Sequence, residues 1–128
     1  MSTSELAEPK WLAVANLNNV DHVYFTERIW KNAYNPNTAM WDYWEYHQIR
    51  KWNTQTGIVN NFMGFDGGAN YNSEWNLNAL QDQPASNIHI NYVEHMTTYN
   101  EHLYVFTNQM FKVNLNTETV IIFVQDEE

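Results

Sequence analysis

The chain is predicted to be a single all-β domain of antiparallel meanders, and three observations carry that expectation. First, runs rich in Val, Ile, Tyr, Phe, Trp and Thr, the residue types that fit a pleated surface, alternate with turns rich in Asn. Second, DHVYFTERIWKNAYNPNT at 21–38 is echoed by EHLYVFTNQMFKVNLNTET at 101–119. His22, Tyr24, Phe25, Thr26, Lys31, Asn35 and Thr38 fall opposite His102, Tyr104, Phe106, Thr107, Lys112, Asn116 and Thr119 once one residue is inserted. Third, QIRKWNTQTGIV at 48–59 has the form of QMFKVNLNTETV at 109–120: a polar-flanked strand, an Asn/Thr turn, then a β-branched strand. Internal repetition points to stacked supersecondary units, here hairpins. The two echoes have different offsets, so one simple period does not generate both. Aromatic strands joined by Asn-rich turns also resemble one another in any all-β protein.

Residues 1–9 read as a loose N-terminus with one helical turn over 2–7, where Ser2 and Glu5 have capping-box spacing and Pro9 ends any helix. WLAVANL at 11–17 and HVYFTERIW at 22–30 are strands, joined by a turn at Asn18-Asn19. AMWDYWEYHQIRKW at 39–52 is the next strand or pair of strands, and GIVNNFMGF at 57–65 follows. DGGANYNSEWNLNALQDQPAS at 66–86 is a long loop of the length that often carries function, with a short helix over 74–81 if Ser73 caps it and Pro84 closes it. IHINYVEHMTTY at 88–99, HLYVFTN at 102–108, MFKVNLN at 110–116 and TVIIFVQ at 119–125 complete about eight strands, with turns near Asn100, Asn108 and Asn116.

At 128 residues the chain is long enough to bury a real core as one domain. Six Lys and Arg against fifteen Asp and Glu give a formal charge of −9. Phosphate backbones and anionic membranes are bound by cationic side chains, so neither is an expected partner. Acidity serves solubility first, and an acidic face aimed at a basic protein second. There is no cysteine, which excludes disulfides and thiol chemistry. The N-terminus lacks the basic and apolar regions of a secretory signal, and none of the nineteen asparagines sits in an Asn-x-Ser/Thr acceptor. The expected setting is cytoplasmic, viral or host-delivered.

The densest chemical feature is WKNAYNPNTAMWDYWEYHQIRKW at 30–52. On a strand, Trp41, Tyr43 and Glu45 point one way and Asp42, Trp44 and Tyr46 the other. Aromatics on both faces signify either a core strand or an exposed platform, and Trp and Tyr on a surface dominate recognition, at about 2 kcal/mol or more each. Histidines offer less. His89 and His95, read on one extended strand, would stand about 20 Å apart, too far for one metal ion. Asp42 with Glu45, or Asp66 with Glu74, are the carboxylate pairs that glycosidic hydrolysis would use, but no phosphate loop, nucleophile elbow or zinc spacing is present. A non-enzymatic protein with no metal and no cofactor is expected.

HLYVFTNQMFKVNLNTETVIIFV and YHQIRKWNTQTGIVNNF resemble blades of β-propellers, where a polar Asn-x-x-Thr turn leads to an outer β-branched strand. Trp52-Asn53 with Thr56-Gly57 is similar to the Trp-Asp and Thr-Gly pattern of WD-type blades, without the preceding histidine signature. YFTERIW at 24–30 resembles the repeat of small propeller lectins that bind fucose through an Arg, a Glu and a Trp, which would here be Arg28, Glu27 and Trp30. Asn108, Gln109 and Phe111 stand in their places in the second copy, so the resemblance does not imply a repeated site. Two or three blades cannot close a ring, so the resemblance implies a homo-oligomer; a β-sandwich or β-barrel is the architecture that needs no partner. The expected function is non-catalytic recognition, with carbohydrate as ligand of Glu27, Arg28, Trp30, Trp41 and Trp44. The alternative is an acidic inhibitor or adaptor, of viral type, that binds a basic or nucleic-acid-binding protein through Asp66, Glu74, Asp82 and Asp126.

Overall fold

The computed structural model describes residues 10–69, 81–90, 92–107 and 109–122. The chain is all-β. Its strands are β1 (Leu12–Leu17), β2 (Val20–Asn35), β3 (Met40–Asn53), β4 (Val59–Met63), β5 (His95–Tyr99), β6 (His102–Phe106), β7 (Met110–Asn114) and β8 (Thr119–Ile122), with a 3₁₀ turn at Ala85–Asn87. They form two antiparallel four-stranded meanders, β1-β2-β3-β4 and β5-β6-β7-β8.

Asparagine chemistry sets the hairpins. Asn18 and Asn19, with φ of 54° and 66°, and Asn100 and Glu101, with 51° and 63°, put two consecutive left-handed residues in two-residue turns, as the right-handed twist of the flanking strands demands. The three longer hairpins use one recipe. The side-chain oxygens of Asn35, Asn53 and Asn114 each accept a hydrogen bond of 2.9 Å from the amide two residues on, at Asn37, Gln55 and Asn116. Four residues beyond each Asn the chain turns left-handed, at Ala39, Gly57 and Glu118. The short polar side chain substitutes for the backbone partner lost at the reversal.

The strand registers explain the two offsets. His22 pairs with Asn53 and Tyr24 with Lys51; His102 pairs with Asn114 and Tyr104 with Lys112. From His22 to Asn53 is 31 residues and from His102 to Asn114 is 12. The excess is a long two-stranded arm, the far ends of β2 and β3, where the second sheet has only a short link through Thr107 and Gln109.

The core lies between the sheets. Ala13, Ala15, Leu17, Tyr24 and Ile49 come from the first, and Met96, Leu103, Val105, Phe111, Val113 and Val120 from the second. A bulge lies opposite Ile49 and Arg50, where Ile49 pairs with Met63 and Arg50 with Asn61. The extra residue, Phe62, is buried beside Met63 and packs edge-on to Tyr24 at 5.1 Å. The bulge thus sends two consecutive side chains inward. Gly64 follows at φ +97°, pressed against the His47 carbonyl.

Two expectations need correction or placement. Among its described residues the run 88–99 is not one strand: only β5 is regular. Its first half plugs the core with Ile88, Ile90 and Val93, and its backbone bonds go to the first sheet: the His47 amide donates to the Ile90 carbonyl, and the Val93 amide to His47 Nδ1. His89 and His95 therefore do not share a strand face. The helix expected over 74–81 lies outside the described residues up to Gln81, which with Asp82 forms a turn. The next residues close the edge of β8, where the Asp82 and Ala85 amides donate to Val120 and Glu118 carbonyls.

Candidate functional site: an aromatic arm

β2 and β3 outrun their neighbours. β1 pairs with β2 only as far as Phe25, and β4 with β3 only over 49–52, whereas the β2–β3 ladder continues to Asn35 and Met40. Among the described residues no strand flanks the outer arm. Alternation and register together decide what it displays. Arg28, Trp30, Asn32 and Tyr34 of β2 stand opposite His47, Glu45, Tyr43 and Trp41 of β3, all on one face. This is the face that, nearer the turn at Asn18, carries Tyr24 and Ile49 into the core. Beyond the core nothing described covers it: Trp30, Tyr34, Trp41 and Tyr43 are 58%, 51%, 54% and 68% exposed.

The platform has internal order. The Tyr34 and Trp41 rings meet edge-on at 5.7 Å, and the Arg28 guanidinium lies 4.3 Å over the Trp30 ring. Arg28 Nε and Nη2 both donate to Glu45 Oε1, at 3.1 and 3.0 Å. A strip of ring faces is thus bounded by a fixed cation–carboxylate pair, with the Asn32 amide among the rings.

The opposite face is tethered. Trp44 Nε1 donates to Asp66 Oδ1 at 2.8 Å, Lys31 Nζ lies 3.4 Å from Asp66 Oδ2, and the Gly68 amide donates to Oδ1 at 2.9 Å. Farther in, His89 packs between Tyr46 and Phe65. Burial works against the charged form of Asp66, but the Trp44 and Gly68 N–H groups and Lys31 outweigh it and hold the carboxyl below its usual range. Burial also pushes the His89 imidazole down, against the pull of Asp66. The signs agree. Below the ordinary imidazole pKa the unfolded chain takes up the His89 proton first, and below the ordinary carboxylate pKa it takes up the Asp66 proton first. Urea midpoints should therefore be flat near neutrality, fall below about pH 6.5 and fall again below about pH 4. In Asp66→Asn the second fall should shrink; an unchanged acid limb would show the tether to be inconsequential.

Of the residues expected to bind ligand, Arg28, Trp30 and Trp41 share the exposed face. Glu27 and Trp44 lie on the other: Glu27 is 4% exposed and 3.8 Å from Arg50, and Trp44 is engaged by Asp66. Tyr34, Tyr43, Asn32 and Glu45 join the site, and the signal for Tyr43 and Glu45 was their alternation with Trp41. Of the alternative acidic set, Asp66 is held by the tether and Asp82 is exposed, its Oδ1 accepting from Gln81 Nε2 at 3.2 Å. Glu74 and Asp126 lie outside the described residues.

A second concavity, about 330 Å³, opens between the turn ends of the sheets and is lined by Leu17, His22, Lys51, Asn53, Leu115 and Glu118 among others. Lys51 Nζ donates to Glu118 Oε2 there at 2.7 Å, tying one sheet to the other. Burial, with Glu118 nearby, pushes the Tyr24 hydroxyl well above its usual pKa. Among the described residues no three His, Asp or Glu side chains converge as metal ligands would. Compared with protein-family models, with curated proteins and with solved structures, the chain matches none.

Proposed function

We propose that the protein is a non-catalytic recognition module that binds carbohydrate on the aromatic face of its arm. The observation that carries this reading is four exposed aromatic rings on one face of an arm that has outgrown its sheet. Large rings held outside a core cost solvation free energy unless a ligand covers them. Sugar rings present flat C–H faces to such platforms and hydroxyl pairs to groups like Asn32, Glu45 and Arg28, whose donors and acceptors are preset by the hairpin register. The carboxylates support the non-catalytic part. Asp42 and Glu45 project from opposite faces of β3, so the pair cannot flank one glycosidic bond. Glu45 is also neutralised by Arg28, and Asp42 accepts from Asn35 Nδ2 at 3.2 Å.

A glycan array followed by titration calorimetry on its best hit tests the reading. Trp30→Ala should weaken binding about 30-fold, corresponding to about 2 kcal/mol. Raising salt from about 0.05 to about 0.5 M should leave the affinity within about a factor of two, because stacking on neutral rings is little screened. An array without hits, together with capture of a basic protein that salt releases, would transfer the function to the acidic surface.

A further inference from the structure

The spacing of the rings on the arm specifies more than a sugar. Register sets them out in rows: Trp30 opposite Glu45, then Tyr43 opposite Asn32, then Tyr34 opposite Trp41. Successive rows on one face are two residues apart, about 7 Å by the strand rise, so the rings run about 14 Å along the arm. Every row holds at least one ring. That length exceeds a single sugar and suits about three or four in succession.

The way the rings are held decides which part of a glycan they meet. Each is more than half exposed, and among the described residues no strand walls the arm on either long side. A terminal sugar is recognised by enclosure, in a concave site that buries most of the ligand and meets its rim hydroxyls from several sides. Open rings instead touch one face of each sugar and let the chain continue past them. The Arg28 guanidinium, 4.3 Å over the Trp30 ring, covers one side of the indole and leaves the other for a sugar. Tyr34 and Trp41, edge-on at 5.7 Å with planes 67° apart, are disposed to flank a sugar from two sides.

Charge narrows the class. The ionic side chains beside these rows are Arg28 and Glu45, which two hydrogen bonds to Glu45 Oε1 hold together, and the polar group between the rings is the uncharged Asn32 amide. The formal charge of −9 opposes uronic, sulfated or sialylated glycans.

We propose, resting on the carbohydrate reading above, that the arm binds the interior of an uncharged, extended glycan chain joined through equatorial bonds, with the chain lying along the strands. Equatorial links present flat C–H faces in succession, whereas axial links make a chain coil away from a straight row. This is a different mode from the single fucose site that the YFTERIW resemblance implies. Titration calorimetry with cello-, manno- and xylo-oligosaccharides of one to six units tests it. In at least one series affinity should rise about 10-fold with each sugar up to three and change by less than about two-fold beyond four. Reducing the terminal aldehyde of the hexamer to its alditol should leave affinity within about a factor of two, because an interior site ignores chain ends. In Tyr34→Ala/Trp41→Ala, which keeps two rows, the levelling should move to about two sugars. Circular dichroism checks the fold of that variant, and Trp30→Ala, which removes the row at the other end, replaces it if the sheet spectrum is lost. A flat length profile, or binding confined to charged glycans, to coiled linkages or to chain ends, overturns the proposal and leaves the carbohydrate reading standing. No binding to any array glycan or oligomer removes both.

Discussion

Gly64→Ala should destabilise the protein by about 3 kcal/mol or more, from two additive causes. A Cβ at this position would lie 2.4 Å from the His47 carbonyl oxygen and 3.1 Å from Gln48 Cα, both backbone atoms of β3 that cannot rotate aside. The φ of +97° is itself unfavourable for any L side chain. Gly57 and Gly68 separate the causes, since each has a positive φ but open space where a Cβ would go. Alanine there should cost about 1–2 kcal/mol, the conformational part alone. Urea melts of the three variants decide the matter: equal losses would sink the close-approach account. The location explains the severity. His47 is where β3 passes from its β4 pairing to the single bridge with Ile90, so a displaced Gly64 disturbs both.

Excising the outer arm should abolish ligand binding while sparing the fold. Ile29 and Tyr46 are cross-strand partners, so a two-residue Asn-Gly turn between them closes the hairpin in register and removes Trp30, Tyr34, Trp41 and Tyr43 together. The second sheet shows that such a meander folds with a short central link. Each lost ring contributes on the order of 2 kcal/mol, so glycan affinity should fall below detection. Stability should drop only by about 1–2 kcal/mol, since the removed segment adds nothing to the core and the chief loss is the hold of Trp44 and Lys31 on Asp66. Binding that survives in a folded excision variant would move the ligand site elsewhere, with the Lys51–Glu118 concavity the first place to look.

Much of this fold can be read from residue types. Strand positions follow from β-branched and aromatic runs, and the reversals from Asn18-Asn19, which take left-handed φ, and from Asn53 and Asn114, whose side chains bond nearby amides; both effects are local and so visible in local sequence. The division of Trp41 and Tyr43 from Trp44 follows from alternation alone. What cannot be read is where the packing over a sheet face stops. Trp30 is exposed because nothing described covers its face beyond the core, a fact of how the sheets meet and not of the Trp30 environment in the chain. Glu27, Arg28 and Trp30 were grouped by a motif likeness, and adjacent strand residues face opposite ways, which takes Glu27 to Arg50. The misreading of 88–99 has the same origin: Ile88, Ile90 and Val93 have the apolar pattern of a strand, but their backbone bonds go to His47, far away in sequence.

The meander order bears finally on how the chain reaches its native state. Every strand pairs with its neighbour in sequence, so each hairpin can close with small loop entropy and early in folding. Docking of the sheets joins the most distant segments and comes late. Until then each chain carries an open Leu103–Val113–Val120 row and an open Tyr24–Lys51 face, and another chain's sheet satisfies them as well as its own. Concentrated refolding should therefore divert into exchanged, interlinked chains, and dilution favours the monomer fold.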